Sequence, residues 1–214
     1  ASLAKQTRKN PAQLQRANDL AFRSLLLTSM LVRARNLEDR GMLVDAANLY
    51  RSILSEFPDQ RPSQMALDRI ENILADRERD ERVRVAREEG LRKFRLGDYA
   101  GAEPDLTVAV DAGRTDTATL YALGMSHLRL KNYSQALMVL NSCIAANPDY
   151  APALVGLAQV KLFAGEKEQA LALLNRALEL GGGAEFTPAK IRDMISSLNS
   201  KVSALPARPP RNPS

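Results

Sequence analysis

The chain holds 214 residues, 45% of them hydrophobic but only 5% aromatic and none Trp, so its core must be packed from Ala, Leu, Val, Ile and Met. One Cys and one His, His127, exclude an internal disulfide and a Cys-built zinc cage, and make a His-built metal site or a Ser-His-Asp triad untenable. The formal charge of +5 is set by the ends: residues 1–18 and 201–214 carry seven bases and no acid, which leaves residues 19–200 at −2 and disfavours nucleic acid as a ligand.

In chain order, residues 1–10 read as a flexible basic tail. Asn10-Pro11 offers a cap and first turn for a helix carrying Leu14, Ala17, Ala21, Leu25, Leu31 and Ala34. The most apolar run, Ala21–Val32, is interrupted by Arg23, Ser24, Thr28 and Ser29 and falls short of the ~20 residues that a membrane span needs. A diverged helical pair is expected over 27–60, followed by a helix in an inserted segment, 61–82. There Pro62-Ser63 opens an apolar row of Met65, Ala66, Ile70, Ile73 and Leu74. Glu78–Arg82 and Asp80–Arg84 are acid-before-base pairs four apart, the mark of a solvated helical stretch, and its continuation from Ser63 into Arg95 is left open.

Three further helical pairs are expected over 83–116, 117–150 and 151–184, turning at Gly97, at Lys131-Asn132 and at Gly165. Pro104 falls early in a second helix and is expected to delay or kink it. Gly181-Gly182-Gly183 reads as a helix C-cap and hinge. Thr187–Val202 reads as an amphipathic helix covering the bare end of a helical stack, and 205–214 as a Pro-rich linker. The opening Ala1-Ser2-Leu3, without Met, suggests a processed or excised piece of a longer protein.

The pairs repeat at a spacing of 34. Gly90, Gly124 and Ala158 form one column; Tyr99 and Tyr133 another; then Ala102, Ala136 and Ala170; Leu106, Leu140 and Leu174; and Ala109, Cys143 and Ala177. Small residues at fixed places let paired helices approach closely, and the Leu column fills the space between them. These columns resemble the tetratricopeptide repeat family, most closely over Thr117–Tyr150, where Leu120, Leu123, Gly124, Tyr133, Ala136, Leu140, Cys143 and Pro148 fill the motif. Ala151–Ala184 follows; Val83–Asp116 is weaker; and 27–60 keeps Ala34, Gly41, Ala46, Tyr50, Ile53 and Pro58.

The resemblance implies an all-α, right-handed solenoid of helix–turn–helix repeats within a single domain, 11–204, with extra helices at the N-terminus, after the first copy and as a C-terminal cap. It also implies a concave groove lined by the first helix of each pair. Carried onto this chain, the groove columns give Arg87, Leu91, Phe94 and Arg95; Tyr121, Met125, Leu128 and Arg129; and Val155, Gln159, Leu162 and Phe163. The apolar and aromatic members would anchor a side chain or helix face, and the arginines would pair with acids. The basic clamp with which some members grip a chaperone's C-terminal carboxylate is replaced here by Leu91, Tyr121, Met125 and Val155.

No glycine-rich phosphate loop precedes a Lys, His127 falls at a helix–helix interface, and Cys143 sits in a small-residue column as a buried thiol. No catalytic constellation, metal site or cofactor is expected. The sequence therefore leads to a non-enzymatic scaffold that binds a protein or peptide segment. Twenty-two Arg against eight Lys, with the family analogy, point to a bacterial pilus, secretion or envelope assembly. Periplasm and cytoplasm both fit a single Cys, and self-association is left open. The alternative is an adaptor recruited through its basic tails to lipid, cell wall or nucleic acid.

Overall fold

The computed structural model of the chain describes residues 11–203; the expected tail at 1–10 and linker at 205–214 lie outside them. The described residues form nine α-helices and no strand: α1 (Pro11–Asp39), α2 (Leu43–Glu56), α3 (Arg61–Arg95), α4 (Tyr99–Asp111), α5 (Thr117–Arg129), α6 (Tyr133–Ala146), α7 (Ala151–Phe163), α8 (Lys167–Glu179) and α9 (Pro188–Ser203). The chain divides into two compact units between Asp80 and Glu81, where the sequence led to one domain. The cause lies in α3. The inserted helix and the first helix of the 83–116 repeat are one 35-residue element, and its charged middle, residues 75–82, is exposed throughout. Core residues therefore stop at Leu74 and resume at Val83.

The first unit packs α1, α2 and the beginning of α3 around Ala34, Ala46, Ala47, Tyr50, Ile53, Leu67 and Ile70. Ala34 and Ala46, both fully buried, occupy the small-residue columns of the diverged copy.

The second unit repeats one contact. A Cβ placed on Gly90 would lie 2.7 Å from Leu106 Cγ, and one on Gly124 would lie 2.7 Å from Leu140 Cγ. Each glycine is thus a seat for the leucine one column on. Leu106, Leu140 and Leu174 have no exposed surface, and neither do Ala102, Ala136, Ala170, Ala109, Cys143 and Ala177. The periodic columns are the core.

The turns between paired helices share one hydrogen bond. The Asp98 N–H donates to Lys93 O at 3.0 Å, Asn132 N–H to His127 O at 2.8 Å and Glu166 N–H to Lys161 O at 2.9 Å. This closure needs a left-handed residue, supplied by Gly97 and Gly165 in two of the turns and by Lys131, at φ 64°, in the third. Pro104 does not delay α4, which starts at Tyr99 because the Asp98 carboxylate accepts the Gly101 N–H at 2.9 Å. Pro104 is exposed and removes only the single N–H it lacks. At the far end Gly181 and Gly182, both at positive φ, terminate α8 as expected.

Candidate binding grooves

In the second unit, the groove columns lie on α3, α5 and α7, and their side chains have different fates. Arg87 is engaged internally. Its Nη2 donates to Asp116 Oδ1 at 2.9 Å, and its Nε to Asp116 Oδ2 at 3.0 Å and to Thr119 Oγ1 at 2.9 Å. Asp116 is also the cap of α5. Although partial burial opposes ionisation, the bonds from Arg87 and Thr119 hold its carboxyl down at about 2.

Tyr121, Met125, Leu128 and Val155, expected to line an open wall, are buried. Two causes act. Gly156 lets α5 and α7 approach until the Met125 sulfur sits where a Cβ would lie only 2.8 Å away. The chain then covers its own wall. The Tyr121 hydroxyl donates to Glu185, from the α8–α9 connection, Phe186 is buried, and Gly183 abuts Pro152. Burial first, and then the Glu185 bond, raise the Tyr121 hydroxyl far above its usual pKa. An edge-to-face chain Tyr99–Phe94–Tyr121–Tyr150, with centroids 5.8, 5.9 and 5.3 Å apart, occupies the rest.

Leu91, Phe94 and Gln159 are half-buried, and Leu162 shares a cavity of about 320 Å³ with Met194 and Leu198 of α9. Arg95 and Arg129 are exposed without an ion pair among the described residues. Phe163 remains 65% exposed, stacked on Tyr133 at 4.6 Å.

In the first unit the same columns are open. A cavity of about 610 Å³ is lined by Leu31, Arg35, Glu38, Tyr50, Met65 and Arg69, among others. Glu38 accepts the Tyr50 hydroxyl at 2.5 Å and is paired with Arg69. Burial and this bond push the Tyr50 hydroxyl up to about 12. Arg35 is exposed and makes no ion pair among the described residues, and Met65 is 72% exposed. The cavity therefore offers thioether and leucine surface beside a guanidinium, a pairing suited to an apolar side chain next to a carboxylate.

None of these residues was among the candidates read from the sequence. The signal was present, since the groove columns carried onto the 27–60 copy fall on Leu31, Arg35, Glu38 and Asp39. Elsewhere, Cys143 Sγ donates to Thr117 O at 3.5 Å, and burial raises its thiol to about 11. His127 is buried with Nδ1 unpartnered, and burial lowers its pKa.

Stacked helical hairpins with concave faces define a helical-repeat protein. Residues 127–186 match the family model described as tetratricopeptide repeat. No curated protein matches the chain in sequence. Among solved structures, the first tetratricopeptide domain of Spaghetti (RPAP3) bound to an HSP90 peptide is similar. It is 21% identical, with 58% of this chain and 95% of that one covered, at a TM-score of 0.50. The Yersinia enterocolitica type III secretion translocator chaperone SycD is 17% identical, with 56% and 86% covered, at a TM-score of 0.52. At these identities the likeness is one of fold.

Proposed function

We propose that the chain is a non-enzymatic scaffold that binds a segment of a partner polypeptide, with the groove of the first unit as the primary site. The observation that carries this reading is the open cavity of about 610 Å³ whose lining takes in the groove columns at Leu31, Arg35, Glu38 and Asp39, with Arg35 making no ion pair among the described residues. Leu31 and Met65 would bury an apolar side chain, and Arg35 would fix its direction by pairing with an acidic group. The exposed Arg95, Arg129 and Phe163 of the second unit form a secondary patch, while Tyr121, Met125, Leu128 and Val155 act by shaping it from beneath. The HSP90 peptide bound by the similar Spaghetti (RPAP3) domain and the chaperone role of SycD are in keeping with this reading. The arginine-rich composition suggests a bacterial source, and by family analogy the scaffold would serve a multiprotein assembly of the pilus, secretion or envelope kind.

The test is a peptide array bearing apolar–acidic pairs, probed with the full chain. Arg35→Glu is expected to weaken selected peptides by roughly tenfold or more, a charge-pair loss compounded by repulsion. Peptides bound equally well by Arg35→Glu and Met65→Ser, but lost with Phe163→Ala, would move the site to the second unit.

A further inference from the structure

The cavity of the first unit is lined along α1 by a row of three side chains, Leu31, Arg35 and Asp39. They are four residues apart, so they follow one another at successive turns of the helix, about 6 Å apart along its axis. Read along α1, the row offers an apolar group, then a cation, then an anion.

Both charges of the row are available to a ligand. The other ion pair on the cavity is closed within the protein: Glu38 accepts the Tyr50 hydroxyl and is paired with Arg69. Arg35 and Asp39 are exposed, and neither makes an ion pair among the described residues, with the other or with any third group. A base four residues before an acid is the weaker order for pairing on a helix. Asp39 is in addition the last residue of α1, at the end where the helix dipole disfavours an acid, and the last turn of α1 holds no base. Arg40, the next residue, is exposed and not paired with it. A cation brought by a ligand would relieve Asp39 as an anion would satisfy Arg35.

We infer that the segment bound in this groove carries an apolar, an acidic and a basic side chain in that order on one face, set against Leu31, Arg35 and Asp39. This rests on the reading of the first groove as the peptide site and adds to it a requirement for a base beyond the acid. Charge complementarity chooses the occupant: an acidic segment without a base would face Asp39 with like charge, and a basic one would face Arg35. The segment is extended. In a strand, side chains on one face recur every second residue at about 6.6 Å, close to the spacing of the row, so five residues cover it. A helix would have to bring a diameter of about 10–12 Å to the same cavity.

The experiment is fluorescence anisotropy of the full chain with labelled nine-residue peptides, capped at both ends. They carry Leu, Glu and Lys, or Leu, Lys and Glu, at alternate central positions, with Ser elsewhere, and each is made in both chain directions. In at least one direction, the order Leu, Glu, Lys is expected to bind about five- to tenfold more tightly than Leu, Lys, Glu. In Arg35→Asp/Asp39→Arg the preference should invert. Asp39→Asn should bind the Leu, Glu, Lys peptide no better than one with Ser in place of Lys. The three side chains concerned are exposed or replaced at equal size, and an unchanged urea midpoint checks that the fold is kept.

Equal affinity for the two orders, with Met65→Ser still weakening both, overturns the inference and leaves the groove as the peptide site. A preference that Arg35→Asp/Asp39→Arg leaves uninverted overturns it as well, since the charges are then read elsewhere. So does binding of apolar–acidic array peptides while every peptide with a base is refused. If no peptide of either set binds, the reading of the groove falls with it.

Discussion

The two units solve one packing problem with opposite results at the surface. In the second, glycines at 90, 124 and 156 bring helices so close that the groove wall sinks into the core, and the connection through Glu185 and Phe186 covers it. In the first, Ala34 takes the column that Gly90 and Gly124 hold in the second, and Tyr50 replaces the Leu, its hydroxyl spent on Glu38. Among the described residues of the first unit, Arg35 stays exposed on the cavity, while Leu31 and Glu38 are half-buried, Glu38 held by Tyr50 and Arg69. A repeat's columns therefore specify which helices pair, while openness of the groove is decided by the segment that succeeds the last pair.

The largest effect that would sharpen this contrast is expected from Leu140→Ala. Removing a fully buried side chain seated on Gly124 should cost about 3 kcal/mol in urea denaturation, with the loss falling on the second unit. Ile53→Ala should cost a similar amount but show its hydrogen-exchange losses in residues 27–74. Identical exchange patterns in the two variants would break the division at Asp80.

Mild acid should separate the units next. The only His lies in the second, and burial lowers its pKa below the usual 6.5, so at acidic pH the unfolded chain takes up a proton that the folded chain refuses. Stability is therefore lost as pH falls below about 6.5, and His127→Gln should flatten that limb of the thermal melting curve. Asp116, at about 2 against 3.8, adds a second limb of the same sign. Its contribution is present above about pH 4 and lost as pH falls through 2, amounting to about 1 kcal/mol once solvent screening of a half-exposed pair is allowed for. Asp116→Asn should remove that second limb.

Smaller effects test the cover and the turn. Tyr121→Phe should cost about 1 kcal/mol and speed amide exchange around Glu185, since one charge-assisted hydrogen bond is lost. Lys131→Gly should instead stabilise by about 0.5–1 kcal/mol in the same denaturation assay, because glycine relieves the left-handed conformation there. An unchanged midpoint would mean that the turn bears no strain.

Much of the fold was legible because small and large residues alternate at a fixed spacing: Gly124 against Leu140 could be read before any coordinates. The joining of 61–82 to the next repeat was not settled by the sequence, because a charged helix such as Asp76–Arg84 continues or stops according to neighbours that periodicity does not see. The site was harder. Tyr121, Met125, Leu128 and Val155 occupy the right columns, but Gly156 and Glu185, which bury them, lie outside any column. Arg35 and Met65 went unread because the first copy is diverged, and Met65 belongs to a segment that resembled an insertion.

Thiol reactivity compares the two walls most directly. With Cys143 buried and its thiol raised to about 11, a cysteine at Met65 or at Met125 can be followed alone. Met65→Cys, at a 72% exposed position, should react with a maleimide at close to the rate of a free thiol. Met125→Cys, at a 1% exposed position, should react on the order of a hundredfold more slowly or beyond. Equal rates at the two positions would contradict an open first groove and a closed second one.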